Sequence, residues 1–318
     1  MIHRRRLLAN AGVAAGILAA PSILRAETRM VKMGALRLVH SMPPYFYERF
    51  APSDLKIEIV VFDSPTDGKN AVVTKSVDFG TFGIAAGILG AAVGEPVVVV
   101  GALSNKGMGI ISKAGSDVRA IKDLKGKRVG IWPGSTQEVF VMERLRMEGL
   151  SIRDVTPVRV PFGEMPAMLA RGDIDAYVGA EPGPGLSLSS GVGQLVEYPY
   201  STPMGGLNMI FATHEETVNK NPDLVRAMLK THRQAVDFMM ADKPAVVDMS
   251  VKKLGANRAA VEQALGANNV EYVWKLDDTI QGQARTYAQQ MLELKQIRAL
   301  PKFETFLNPK FSNELANS

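Results

Sequence analysis

Runs of branched apolar residues alternate with helix-length amphipathic stretches along two thirds of this chain, and that alternation narrows the choice of fold more than any single motif. MVKMGALRLV is followed by PPYFYERFA, LKIEIVVF by PTDGKNAVVTK, and VDFGTFG by IAAGILGAAVG, after which comes PVVVVGAL. The pattern restarts with RVGIWPG before STQEVFVMERLRMEGL, TPVRVPF before GEMPAMLARG, DIDAYVGA before PGPGLSLSSG, and a last strand at GGLNMIFAT. Strands separated by helix-length segments build an α/β layer on a mostly parallel sheet, because parallel neighbours need a crossover. Two such series give two open sheets. After Thr213 the sequence becomes almost wholly helical: Leu224, Met228, Leu229, Ala235, Val236 and Met239 recur at helical spacing behind an Asn-Pro start. The expected architecture is α/β with two lobes, one from residues 27–106 and 213–318 and one from 107–212, joined by two crossing segments with a cleft between them.

Length fits this reading, since 318 residues suggest about two domains. The chain has no cysteine, which excludes disulfides, zinc thiolates and a thiol nucleophile. The amino terminus carries Arg4, Arg5 and Arg6, an apolar run from Leu7 to Ala20, and Ala26 just before Glu27. Residues 1–26 therefore read as an export signal, too short in its apolar run to span a bilayer. It is similar to a bacterial twin-arginine signal, with His3 where Ser or Thr is usual and no Phe after the arginines. Four of the 37 Lys and Arg and none of the 32 Asp and Glu lie in it, so its removal lowers the formal charge from +5 to +1 (33 against 32). A nucleic-acid partner is not expected for so balanced a chain.

Catalytic signatures fail one by one. Asp78-Phe79-Gly80 spells a kinase triplet, but no GxGxxG lid, VAIK strand or HRD loop accompanies it. His214-Glu-Glu-Thr-Val lacks the second His of a zinc helix, Gly185-Leu-Ser-Leu-Ser misses the last Gly of a nucleophile elbow and reads as a loop, and Gly126-Lys-Arg ends wrongly for a phosphate loop. Asp173 and Asp175, two apart, point to opposite faces of an extended segment. His40 and His232 stand without visible partners. What remains is a pair of strand-to-helix turns. Gly80-Thr81-Phe-Gly opens a helix of very small residues, and Gly134-Ser135-Thr136 opens another, with unpaired N–H groups at each helix start. Facing each other, they would clamp an anion; the simpler alternative is capping and tight packing.

The run Asp123-Leu-Lys-Gly-Lys-Arg-Val-Gly-Ile-Trp-Pro-Gly-Ser-Thr, with Val77-Asp-Phe-Gly-Thr-Phe-Gly, Leu169-Ala-Arg-Gly-Asp-Ile-Asp-Ala-Tyr, Ala180-Glu-Pro and Phe303-Glu-Thr-Phe-Leu-Asn-Pro-Lys-Phe, resembles the nitrate, sulfonate and taurine family of periplasmic substrate-binding proteins of ABC importers. The resemblance implies a type II periplasmic binding fold, no catalysis and no cofactor, a monomer in the periplasm, and delivery of a small solute to a membrane permease with its ATPase. It places ligand groups at His40, Ser41, Ser64, Thr81, Ser135, Thr136, Glu181 and Asn208. Tyr45 and Trp132, beside strand ends, are expected at the cleft rim, where aromatic walls favour an organic body over a bare ion. Thr81 is the lone polar side chain of its turn, which disfavours nitrate. Glu181 would repel a simple anion, so an acidic solute with an amino end reconciles both features, while an aryl sulfonate or carboxylate leaves Glu181 unexplained. The alternatives are binding of a thiamine-type pyrimidine precursor and an enzyme on the same scaffold.

Overall fold

The computed structural model describes residues 28–318; the expected export signal lies outside them. In chain order the first series is β1 (Arg29–Leu36), β2 (Leu55–Phe62), α1 (Pro65–Val73), β3 (Phe79–Gly83), α2 (Ile84–Ala92) and β4 (Val97–Lys106). The second is β5 (Met108–Lys113), β6 (Arg128–Ile131), α3 (Thr136–Met147), β7 (Thr156–Arg159), α4 (Met165–Arg171), β8 (Ala176–Ala180), α5 (Gly183–Ser189) and β9 (Gly193–Glu197). Then follow β10 (Leu207–His214), α6 (Glu215–Lys220), α7 (Pro222–Ala241), α8 (Lys243–Leu254), α9 (Arg258–Gly266), β11 (Val270–Tyr272) and α10 (Asp278–Glu293).

These strands form a six-stranded sheet in the order β11-β4-β10-β3-β1-β2 and a five-stranded sheet in the order β7-β6-β8-β5-β9. The chain is therefore a two-lobed α/β protein. Each sheet is mixed rather than uniformly parallel. β1 pairs parallel with β2 and β3, but β10 enters antiparallel between β3 and β4. In the other sheet β6 pairs parallel with β7 and β8, while β5 pairs antiparallel with β8 and β9. The antiparallel members are those next to the crossings between sheets, where the chain changes direction without a helical crossover.

The first crossing is a single residue. β4 ends at Lys106, β5 starts at Met108, and Gly107 between them has φ +82°. A Cβ there would also lie 2.6 Å from Cγ of His40, so glycine is required both by dihedral and by space. The return crossing runs through residues 198–206 to β10.

The Met-rich face of α7 is core, packed with Val98 and Val100 of β4 and Phe211 of β10. His232 on that helix has its Nε2 2.8 Å from the Ala102 carbonyl, which fixes this nitrogen as the donor and leaves Nδ1 to accept from the Tyr47 hydroxyl at 3.0 Å. The opposite face of the six-stranded sheet packs against α2 and α10, and this cluster also takes in Val139 and Phe140 of α3. Phe140 meets Tyr287 edge-on at 5.4 Å, so apolar packing links the layers of the two sheets.

Gly185-Leu-Ser-Leu-Ser, read from its Ser and Gly content as a loop, lies within the helix Gly183–Ser189. Gly185 serves packing: a Cβ there would lie 2.2 Å from the Ala260 carbonyl of α9, an approach only glycine permits. β9 and the three-residue β11 carry too little apolar alternation to be recognised in the sequence; their partners β5 and β4 define them.

Candidate functional site

The carboxyl ends of β1, β2, β6 and β7 converge between the sheets, where ligands of open α/β sheets bind. A cleft of about 660 Å³ opens there. One wall is Arg37 after β1 with Asp63, Ser64 and Asp67 around the start of α1; the other is Trp132 after β6 with Arg159, Phe162 and Glu164 around the end of β7. A smaller cavity of about 270 Å³ adjoins it, sharing Arg37, Leu38, Phe162 and Gly163. The volume suits a small organic molecule.

Of the residues expected at the site, Ser64 and Trp132 line this cleft. Ser64 caps α1, its Oγ accepting from Asp67 N at 3.1 Å. Trp132 packs 6.4 Å from Phe162, and the Arg159 guanidinium lies 5.1 Å from its ring centroid.

Most of the remaining polar candidates are buried and bonded within the protein. Thr81 Oγ1 donates to the Gly34 carbonyl at 3.2 Å and lies 3.2 Å from Ser41 Oγ, which itself accepts from Leu36 N at 3.0 Å. Asn208 Nδ2 donates to the Lys106 carbonyl. His40 is fully enclosed against Gly107, and burial lowers its pKa to about 3, so the ring is neutral; its Nδ1 has no partner. Tyr45 sits on the core cluster beneath β1 and β2 with its hydroxyl unpartnered, rather than at the rim. Gly80 is a packing glycine: a Cβ there would lie 2.6 Å from Val72 of α1.

The two Gly-Thr turns do meet across the interface, but against each other. Gly83 lies so close to Thr136 that a Cβ would sit 2.5 Å from its Oγ1, and that hydroxyl donates to the Asn208 carbonyl at 3.4 Å. The start of α3 is also filled from within. Ser135 Oγ accepts from Glu138 N at 3.2 Å while Glu138 Oε2 accepts from Gly134 N at 2.7 Å. The chain's own carboxylate occupies the place expected for a solute's acidic head. Ser135-Thr-Gln-Glu138 is a capping-box sequence and could have been read as such. Gln296, beyond α10, donates to the same oxygen at 3.2 Å, and burial raises the pKa of Glu138.

Glu181 is likewise internal. Its Oε2 accepts from Gly185 N at 2.9 Å and its Oε1 from Asn269 Nδ2 at 2.7 Å, with the side chain wholly buried. Asn269 Oδ1 accepts from the Tyr200 hydroxyl at 2.6 Å, and Gly107 N donates to the Asn269 carbonyl at 2.5 Å. The network thus joins the end of β8, both crossings and the segment before β11. Burial lifts the Glu181 pKa to about 7, against the lowering by its two donors. Glu181 does not reach the cleft, so the repulsion expected from it, and the solute amine inferred to relieve that repulsion, lose their basis. Groups that reach the cleft and were not anticipated include Arg37, Arg159 and Phe162. Each follows or ends a strand, and that position alone was the available signal.

The family model described as NMT1/THI5 like matches residues 48–245. Among curated proteins, the chain is 26% identical over 211 residues to 4-amino-5-hydroxymethyl-2-methylpyrimidine phosphate synthase of Schizosaccharomyces pombe, covering 62% of this chain and 59% of that one. It is 22% identical over 224 residues to a protein of Escherichia coli named for binding aliphatic sulfonates, covering 70% and 69%. The chain thus spans about three fifths of the first relative's length and somewhat more of the second's. Among solved structures, the alkanesulfonate-binding protein SsuA from Xanthomonas axonopodis pv. citri, bound to MOPS, superposes with TM-score 0.76 at 23% identity over 87% of this chain and 97% of that one. The periplasmic nitrate-binding protein NrtA from Synechocystis superposes with TM-score 0.74 at 15% identity over 92% and 89%. These neighbours share the periplasmic binding protein fold, and with the family match over most of its length this chain belongs to the NMT1/THI5-like family.

Proposed function

We propose that this protein is the exported solute receptor of an ABC importer, closing two lobes on a small organic solute with an acidic head group and handing it to a membrane permease and its ATPase. The observation that carries the reading is the cleft at the strand ends, walled by both sheets, with two arginines and two aromatic rings facing its space. The sulfonate-binding relatives and the SsuA fold support the acidic head. The alkanesulfonate bodies implied by that name match a wall made of Trp132 and Phe162 better than a bare ion would.

The pyrimidine phosphate synthase relative supports a second reading, in which the same cleft takes a pyrimidine. A thermal-shift panel on the chain from Glu27 separates the two, using sulfonates, carboxylates, amino acids and aminopyrimidines. A solute present at 100 times its Kd should add about 2.7 kcal/mol to stability. Stabilisation by acidic organic solutes, with compaction in small-angle scattering, is the expected result. Stabilisation by aminopyrimidines alone would favour the second reading, and no stabilisation by any member would defeat solute capture.

A further inference from the structure

Two arginines enter the cleft from opposite lobes, and neither is tied into the fold. Arg37 meets Asp63 through one 3.3 Å contact between side chains that are 57% and 86% exposed. A pair so open to water is weak and exchangeable. Arg159, at the end of β7, has its guanidinium over the Trp132 ring and, among the described residues, its side chain has neither an ion pair nor a hydrogen bond. Arginines that hold this structure together behave otherwise: Arg128 grips Asp175 and the Gly172 carbonyl, and Arg144 grips both oxygens of Glu197. Contact with the Trp132 ring, 5.1 Å from its centroid, holds the Arg159 guanidinium beside the cleft and leaves its donors free for a planar or tetrahedral acid.

Charge on the walls adds a limit. Asp63, Asp67 and Glu164 line the same cleft, so three carboxylates face two guanidiniums and the lining carries one net negative charge. A solute with a single acidic group can exchange for Asp63 at Arg37 and fill the free donors of Arg159. A second negative charge has no unmatched cation left and meets Asp67 or Glu164. The apolar remainder of the solute would lie on Trp132 and Phe162, whose rings are 6.4 Å apart.

We propose that Arg159, over the Trp132 ring, and Arg37 on the facing lobe are the charge-reading pair of this cleft, selecting organic solutes with one acidic group and an apolar body and rejecting polyanions. The proposal rests on the solute-capture reading and is more specific than it.

The test uses 1-butanesulfonate, hexanoate and 1,4-butanedisulfonate as probes, with titration calorimetry and intrinsic fluorescence. The sequence has two tryptophans, so a Trp274→Phe background isolates Trp132. In the unmodified protein the monosulfonate should bind at least tenfold more tightly than the disulfonate and perturb Trp132 emission. Arg159→Gln and Arg37→Gln should each weaken monosulfonate binding at least tenfold and flatten its salt dependence, and Arg159→Lys should fall between. Melting temperatures of the free variants serve as the folding control; were Arg159→Gln to misfold, Arg159→Lys and Arg37→Gln decide. Monosulfonate affinity within twofold of the unmodified protein in both Gln variants, or tighter binding of the disulfonate, overturns the pair and leaves solute capture standing. Binding of neutral solutes with no anion bound does the same. Failure of every solute in the wider panel removes solute capture itself.

Discussion

Alanine at Gly83 tests whether closure of the two lobes depends on one missing methyl group. Gly83 has φ −62° and ψ 141°, which alanine adopts freely, so the substitution acts through space alone. Its Cβ would lie 2.5 Å from Thr136 Oγ1, roughly 0.9 Å short of the 3.4 Å at which ordinary contact begins. Thr136 is β-branched and rotation tends to exchange its hydroxyl for a methyl, so the clash is relieved mainly by separating the lobes. Overpacking of this kind costs about 1–3 kcal/mol. An open form does not feel it, so the cost appears in solute affinity, as a weakening of roughly 5- to 150-fold. Thr136→Ala removes the obstructing hydroxyl and gives up one long hydrogen bond, worth about 1 kcal/mol or less. The double variant should therefore bind better than Gly83→Ala alone. Calorimetry with the solute that stabilises the unmodified protein measures all four corners of the cycle, and scattering reports the opening. Affinity of Gly83→Ala within twofold of the unmodified protein, or strictly additive effects in the double variant, would refute the contact's role.

Other expectations follow from buried charge and close packing. His40 and His232 are held neutral in the fold, with pKa values lowered to about 3 and about 4 from 6.5, so their stabilisation is lost as pH falls below 6.5. Each should cost about 1.4 kcal/mol per pH unit, while Glu181, raised to about 7 from 4.5, contributes the opposite slope over pH 4.5–7. Urea unfolding between pH 6.5 and 4.5 should then lose stability more steeply in Glu181→Gln than in the unmodified protein, by about 1.4 kcal/mol per unit; equal slopes in the two proteins contradict the assignment. The Lys69 side chain is 8% exposed and pairs with Glu95, itself 30% exposed, so Glu95→Ala, which strands the ammonium, should cost more than Lys69→Met, as read by denaturant midpoints. Gly185→Ala, with its Cβ 2.2 Å from the Ala260 carbonyl, should lower the melting temperature with no change in far-ultraviolet helix signal.

The class of fold was legible because it depends on local periodicity. Branched runs, helix-length intervals and the 3.6-residue pattern of α7 need no knowledge of distant partners, and Leu224, Met228, Leu229, Ala235, Val236 and Met239 are all buried. The helix caps were equally local, and capping, the simpler alternative for the Ser135 turn, is what the structure has: Ser135 and Glu138 lie three residues apart and satisfy the α3 terminus themselves. What the sequence could not determine is which of its polar residues remain available to a solute. Thr81, Thr136, Asn208 and Glu181 are spent on partners 47, 72, 102 and 88 residues away, and no local pattern encodes such pairings. Arg37 and Arg159 look like any exposed arginine in the chain, and only the meeting of strand ends from two sheets puts them on one cleft. Periodicity acts within a few residues and so survives in the sequence. Availability of a side chain is a property of everything packed around it, and only the tertiary structure decides that.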